Sequence, residues 1–340
     1  MRPDAKTGRR IALVRLSSLG DIILCMASLQ LIRRHLPDSH ITWITDRRFA
    51  AVLEHQPDIQ QIVALDLKGL KKQPSWSKLR GEYRSLRAGG DFDMVIDLHG
   101  MIKSAVVAAI AGGIRCGFSG PALKESLAGL LYQQSLAVPL ELPAVSRYSS
   151  LVASCLGFPA QEAHRSEIKP FLGWSEEDRR ISDNYFDSRQ PTTLIVPETS
   201  ALNKNYPPEK YAQLASRLAG PVLVCHGNDR ELAAAQVIAG QAANVRVLPR
   251  LSINQLKAVV GRSALVIGGD SGPAHMAWAS GVPSITLYGA TPVCFHPTER
   301  NLVIKSGSRV NLVKPDARDF SVREIAVEQI AELAASLLKT

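Results

Sequence analysis

The sequence predicts an α/β protein made of two doubly wound, parallel-sheet domains facing across a cleft. Three observations lead there. Short apolar runs of strand length alternate with helical patterns. The alternation restarts after about residue 175 and repeats in the second half. At 340 residues the chain also exceeds the roughly 100–200 usual for one domain.

In the first half RIALVRL (10–16), HITWIT (40–45) and DMVIDLHG (93–100) read as strands. Their near-continuous apolar character suits parallel strands covered by helices on both faces. MASLQLIRRHLP (26–37), ended by Pro37, and FAAVLEHQP (49–57) read as helices. In the second half the strands are TTLIVP (192–197), GPVLVCHG (220–227), VRVLP (245–249), ALVIGGD (264–270) and PSITLYGAT (283–291). The helices are PPEKYAQLASRLA (207–219), DRELAAAQVIAGQAA (229–243), SINQLKAVVGR (252–262) and GPAHMAWASG (272–281). The joint is expected in the polar segment Ala160 to Arg180, which places the domains at residues 1–172 and 173–318. Residues 319–340 read as an amphipathic helix available to pack back on the first half.

Composition narrows the class. Hydrophobic residues make up 46% and charged residues 21%, a globular balance. The five cysteines are scattered without a CxxC pair, which argues against a disulfide framework or a zinc site and for a reducing compartment. No apolar run reaches the roughly 20 residues of a membrane span, and Arg15 and Asp21 interrupt the N-terminal apolar stretch against a secretory signal. A cytoplasmic location is therefore expected. No short-period repeat suggests a solenoid.

The net charge is +9, with a pI near 9.4. Between Lys68 and Arg87, seven basic residues stand against one acidic residue. Such a run is a solvated helix face or a patch facing phosphates or lipid headgroups. The aromatic residues form no stacking pattern with it, so a nucleic-acid platform is not expected. Trp43 and Trp278 read as core, and Asp91-Phe-Asp93 as ordinary loop polarity.

The most informative stretch is LVIGGDSGPAHMAWASGVPSITLYGAT, Leu265 to Thr291. A buried strand ends in two glycines, where a backbone can come close to a ligand. Asp270 and Ser271 then open a helix whose first turn offers unpaired N–H groups and a positive dipole end, which suits a diphosphate. His275 lies one turn in, and a second strand ends in Gly289 and Thr291 at the same sheet edge. GDSG also occurs in chymotrypsin-like proteases, but Pro273 follows here and the context is strand–turn–helix. No GxGxxG follows either leading strand, which disfavours a dehydrogenase.

GGDSGPAHMAWASGVPSITLYGATP resembles the donor-site signature of glycosyltransferase family 9, the lipopolysaccharide heptosyltransferases. RLSSLGDIIL (15–24) resembles that family's N-terminal signature, and the likeness extends through FDMVIDLHGMIKSA, KESLAGLLYQQ and NKNYPPEKYAQLA. Ala27 stands where the family usually has proline, and Glu198 precedes Thr199. His99 replaces the Gln typical of the first heptosyltransferase.

The resemblance implies a GT-B fold of two Rossmann-like domains. It implies inverting transfer of a heptose from ADP-heptose to the Kdo/lipid A inner core, with no metal and no cofactor beyond the donor. Asp21 would be the general base. Gly20, Thr199, Ser200, Lys204, Glu231, Leu251, Asp270, Ser271, Gly272 and His275 would hold the donor. Lys68, Lys71, Lys72, His99, Lys103 and Lys124 would face the anionic, lipid-linked acceptor. The enzyme would then sit peripherally at the cytoplasmic face of the inner membrane. The first heptosyltransferase fits better than the second; another family 9 transferase with a different donor or acceptor shares the donor motifs. A non-catalytic nucleotide-binding protein is the alternative of another class.

Overall fold

The computed structural model describes residues 8–164, 168–187, 189–313 and 315–339. The chain divides into two compact units, Met1–Ile168 and Lys169–Thr340.

The first unit carries β1 (Arg10–Val14), α1 (Leu19–Met26), α2 (Ser28–His35), β2 (His40–Asp46), β3 (Gln61–Leu65), α3 (Leu67–Lys72) and α4 (Trp76–Arg87). It continues with β4 (Met94–Asp97), α5 (Ile102–Ala111), β5 (Ile114–Ser119), β6 (Gln134–Ala137) and α6 (Ala144–Leu156). Its six-stranded sheet runs in the order β3-β2-β1-β4-β5-β6, every neighbour parallel. Ala12, Val14, Ile44 and Val95 from the strands meet Leu86, Phe92, Val107 and Ala108 in one core cluster.

The second unit contains α7 (Glu176–Asp183), β7 (Thr193–Val196), α8 (Pro208–Ala215), β8 (Val222–Val224), α9 (Asp229–Gln241) and β9 (Val245–Val247). Then follow α10 (Ile253–Arg262), β10 (Leu265–Gly269), α11 (Gly272–Ala279), β11 (Ser284–Tyr288), β12 (Asn301–Lys305) and α12 (Val327–Leu337). Its sheet order is β12-β11-β10-β7-β8-β9, again parallel throughout. Counted from each unit's own first strand, both orders are the doubly wound 3-2-1-4-5-6. In such a sheet the order reverses between the first and fourth strands, and ligands bind beyond the carboxyl ends at that reversal. These positions are β1/β4 in the first unit and β7/β10 in the second.

Two expectations are corrected, those for residues 49–57 and for the cysteines. α12 packs within the second unit. Ile330, Ala334 and Leu337 lie in the second unit's own core with Tyr211, Leu214 and Ile285. The segment before it is tied down by Tyr206 Oη, which donates to the Ile325 carbonyl at 2.8 Å. Residues 49–57 do not form an α-helix; Arg47–Leu53 is a 3-10 turn capped by the Asp46 carboxylate. The cysteines are not all apart: Cys116 on β5 and Cys155 on α6, 39 residues away, form a disulfide with Cα atoms 6.1 Å apart. Spacing conceals that pair because only the packing of α6 against the sheet brings them together.

Candidate active site

Strand β1 ends at Val14 and the chain turns through Arg15–Ser18 into α1, while β4 ends at Asp97 beside it. Asp21 therefore stands in the first turn of a helix opened at the reversal point of the first sheet. Its Oδ2 accepts from the Ser18 hydroxyl at 2.8 Å and the Ser18 amide at 3.3 Å, closing the turn. The same oxygen meets Arg15 Nη2 at 2.7 Å, and Oδ1 accepts from Tyr148 Oη at 3.0 Å. Arg15 is buried and locked by its own donations to the carbonyls of Ser17 (2.8 Å) and Leu98 (2.6 Å). Its guanidinium also lies 5.2 Å from the centre of the Tyr148 ring.

Burial works against a charge on Asp21, but the Arg15 guanidinium, the Lys124 ammonium and the Ser18 hydrogen bonds outweigh it. Its carboxyl is held well below the usual carboxylate range. The side chain keeps 32% of its surface, so the ionised group is still reachable from solvent.

His99 belongs to the same constellation. Its Nδ1 accepts from the Leu16 amide at 3.3 Å, which leaves the ring proton on Nε2. Burial, with Arg15, Lys124 and Lys103 nearby, holds its pKa down to about 2, so the ring is neutral. The turn that carries it is built by Asp97, whose Oδ1 accepts from the amides of His99 (2.8 Å) and Gly100 (3.3 Å). Gly100 sits at φ 72, where a side chain would be strained, and its carbonyl accepts from the Lys124 amide at 3.1 Å. That contact brings Lys124 to the site from a loop beyond β5.

In the second unit the reversal point holds Asp270, the residue after β10. Lys204 Nζ approaches its Oδ2 at 2.5 Å, His275 Nε2 lies 3.1 Å from Oδ1, and Thr291 Oγ1 is 3.5 Å from Oδ2. Burial opposes this charge too, but the His275 hydrogen bond and the Lys204 ammonium prevail and bring the pKa to about 2. Asp270 therefore does not serve as the helix cap. Ser271 occupies the N-cap position of α11 without a side-chain cap bond, and its buried Oγ has no hydrogen-bond partner among the described residues. The first-turn amides of Gly272 and Ala274 are the groups such an end leaves for a ligand.

Lys204 reaches Asp270 because the loop after β7 folds tightly over β10. A Cβ on Gly269 would stand 2.8 Å from the Lys204 carbonyl oxygen and 2.9 Å from Thr199 Cγ2. Thr199 is consumed in that fold: its amide and hydroxyl donate to Asn205 Oδ1 at 2.8 and 3.0 Å.

The profile of glycosyltransferase family 9 (heptosyltransferase) matches residues 82–318. The chain belongs to glycosyltransferase family 9. The lipopolysaccharide heptosyltransferase 1 of Campylobacter coli is 30% identical over 96% of this chain and 98% of its own length. A family 9 glycosyltransferase structure from Veillonella parvula DSM 2008 superposes with a TM-score of 0.82 at 23% identity, covering 99% of both chains. The E. coli heptosyltransferase WaaC with ADP-2-deoxy-2-fluoro heptose gives 0.74 at 20% identity, covering 96% of this chain and 99% of that one. The fold is GT-B, and the protein is a glycosyltransferase resembling heptosyltransferase I.

Within this family 9 chain the structure gathers Asp21, His99, Lys103 and Lys124 at one sheet edge and Lys204, Asp270, Ser271 and His275 at the other unit's. Gly20 is an ordinary helical residue inside α1. Glu231 spends its carboxylate on the start of α9, accepting from the Gly227 amide at 2.6 Å and Asn228 Nδ2 at 2.5 Å. Ser200 is exposed and Leu251 half-buried in a loop before α10. Lys68, Lys71 and Lys72 lie exposed on α3.

Three functional candidates escaped sequence reasoning. Arg15 was legible only as a charged residue ending an apolar strand, and Tyr148 had no local signal, being 127 residues from Asp21. Arg230 resolves the odd position of Glu198: its Nε meets Glu198 Oε2 at 2.5 Å and its Nη2 donates to the Thr199 carbonyl at 2.6 Å. The acid before Thr199 is thus paired with a cation. Asp93 accepts from the Arg10 amide at 2.8 Å, at the amino end of β1 and so at the opposite sheet edge from Asp21.

Proposed function

We propose that this chain is an inverting heptosyltransferase moving a heptose from ADP-heptose to the Kdo/lipid A inner core of lipopolysaccharide, with Asp21 as general base and no metal in the transfer. The observation that carries this reading is the ionised, solvent-reachable Asp21 carboxylate fixed at the first sheet's reversal point by Arg15 and Tyr148.

In the reaction an acceptor hydroxyl oxygen bonds to the anomeric carbon as the bond from that carbon to the diphosphate oxygen breaks. The hydroxyl proton passes to Asp21, and the bonding pair leaves with ADP. Attack from the face opposite the leaving group inverts the centre. A carboxylate held this far down is a weak base toward a resting alcohol. It becomes competent as the attacking oxygen gains positive character in the transition state. Lys204 and the first-turn amides of α11 support charge on the leaving diphosphate. For the donor, the heptosyltransferase relatives and the ADP-sugar complex of WaaC support ADP-heptose.

On the acceptor side Lys124 and Lys103 act on the Asp21–His99 group, whereas Lys68, Lys71 and Lys72 lie exposed on α3. A family 9 transferase with another acceptor is therefore the second reading, and turnover of ADP-heptose against a panel of core acceptors separates the two. Peripheral attachment to an anionic leaflet draws on α4, which exposes Trp76 (86%), Leu79 (50%) and Tyr83 (52%) among Lys78, Arg80 and Arg84. Among the described residues no helix is long and apolar enough to cross a membrane.

The deciding experiment is Asp21→Asn assayed with ADP-heptose and Kdo-lipid A. Transfer should drop by about 10²–10⁴-fold while ADP binding persists. Full transfer by the variant would remove Asp21 from the role of base.

A further inference from the structure

We infer that Arg230 is a further donor-binding residue, whose guanidinium meets the diphosphate of the nucleotide-sugar, and that Glu198 is the positioning residue that aims it. This rests on the ADP-sugar reading proposed above. Arg230 stands in the first turn of α9, which opens past the carboxyl end of β8. β8 pairs with β7, so the residue lies at the same sheet edge as Thr199 and Asp270, one strand from the reversal point. A cation is ill placed there for the helix itself, because a helix N-terminus carries the positive end of its dipole. Other groups already close that end: Asn228 Oδ1 accepts from the Glu231 amide at 3.1 Å, and Glu231 Oε2 from the Gly227 amide at 2.6 Å. The reason for an arginine therefore lies outside α9.

Its contacts say where. Nε meets Glu198 Oε2 at 2.5 Å and Nη2 donates to the Thr199 carbonyl at 2.6 Å, while Nη1 makes no hydrogen bond among the described residues. A guanidinium is a rigid planar fork, so two anchors fix the direction of the donors that remain. Exposure decides which member of the pair faces a ligand. The Glu198 side chain keeps 13% of its surface and that of Arg230 44%, so the acid is covered and the pair turns its positive side outward.

The loop that Arg230 grips is part of the donor side. Thr199 is packed so closely on Gly269 that a Cβ there would stand 2.9 Å from its Cγ2, and Lys204 of the same loop reaches Asp270 at 2.5 Å. α11, with its first-turn amides, begins directly after. Because Asp270 already draws the Lys204 ammonium, a diphosphate arriving here gains from a second cation, and arginine offers phosphate oxygens a two-pronged, charge-assisted donation. The sequence hid this role because Arg230 and Glu198 are 32 residues apart and Arg230 reads there as an ordinary helix residue.

Calorimetric binding of ADP and of adenosine to the full chain tests both roles. Arg230→Gln should weaken ADP by about 10–100-fold and leave adenosine nearly unchanged. Equal losses for the two ligands would make Arg230 a mere holder of the loop and overturn the assignment. Arg230→Lys, which keeps the charge without the fork, should fall between wild type and Arg230→Gln, and it covers the case of a poorly folded glutamine variant. Glu198→Ala should weaken ADP although it removes a negative charge, whereas Glu198→Gln, which still accepts from Nε, should bind like wild type. Tighter ADP binding by Glu198→Ala would end its positioning role. In the Arg230→Gln background the sign should reverse, with Glu198→Ala recovering part of the lost affinity; full recovery would mean that Arg230 only cancels the acid. A wild type that binds no ADP would sink the donor reading and this inference together, whereas the other adverse outcomes strike this inference alone.

Discussion

Asp21 and Asp270 are both carboxylates just past a buried parallel strand, and both are held ionised by a cation that the local motif does not announce. Arg15 does this for Asp21, so replacing it with Met should let the Asp21 carboxyl rise toward its ordinary range. On the proposed role of Asp21 as the ionised base, the acid limb of the kcat/KM profile should then move to higher pH. An unmoved limb would mean that Lys124 and Ser18 suffice. For Asp270 the folded pKa of about 2 lies below the unfolded value near 3.9. Its stabilisation, about 2 kcal/mol, is present above pH 4 and fades as the pH falls through 2. The melting-temperature gap between wild type and Asp270→Asn should accordingly narrow from pH 5 to pH 2; a constant gap would show that the carboxylate's charge contributes nothing.

At the scale of elements, the strand-to-helix turns carry the candidate site residues Asp21 and Asp270, and glycines decide how closely the pieces fit. Gly269→Ala would drive a methyl into the Lys204 carbonyl and the Thr199 methyl. We expect destabilisation of about 1–3 kcal/mol and a loss of ADP affinity as the loop is pushed off β10. Calorimetric ADP binding that matches wild type would show that the loop relaxes without cost to the site. The helix-cap role of Asp21 also belongs here. Its Oδ2 closes the first turn of α1 on Ser18, so capping and the proposed base role are performed by one carboxylate. At α11 the two roles separate, because Asp270 turns away from the helix end.

On the scale of the whole molecule, a net charge of +9 coincides with one exposed basic helix that also shows an indole and a phenol. Attachment to vesicles containing anionic lipid should weaken steeply with salt. Trp76→Ala should weaken it further without altering the melting temperature, since the ring is 86% exposed and supports no core. Sedimentation with vesicles at low and high ionic strength measures both effects, and indifference to salt would remove this helix from any membrane role.

The sequence by itself determined the α/β class, the repeat of one doubly wound pattern, and the two motifs that supply Asp21 and Asp270. Those features are local: a buried parallel strand is written as a continuous apolar run, and a strand-to-helix turn as glycine beside a cap residue. Strands β3, β5, β6 and β12 were less legible, because edge or near-edge strands are half-exposed and interrupt their apolar runs with polar residues. Only the tertiary structure decided what each motif residue touches. It set Arg15 and Tyr148 on Asp21, Lys204 on Asp270, Arg230 on Glu198, Cys116 on Cys155, and α12 in the second unit's core. These are partnerships between residues far apart in the chain, fixed by strand order and helix packing, and periodicity carries no trace of them. The same holds for charge: whether burial or a neighbouring cation governs a carboxylate depends on distances that exist only once both sheets are assembled.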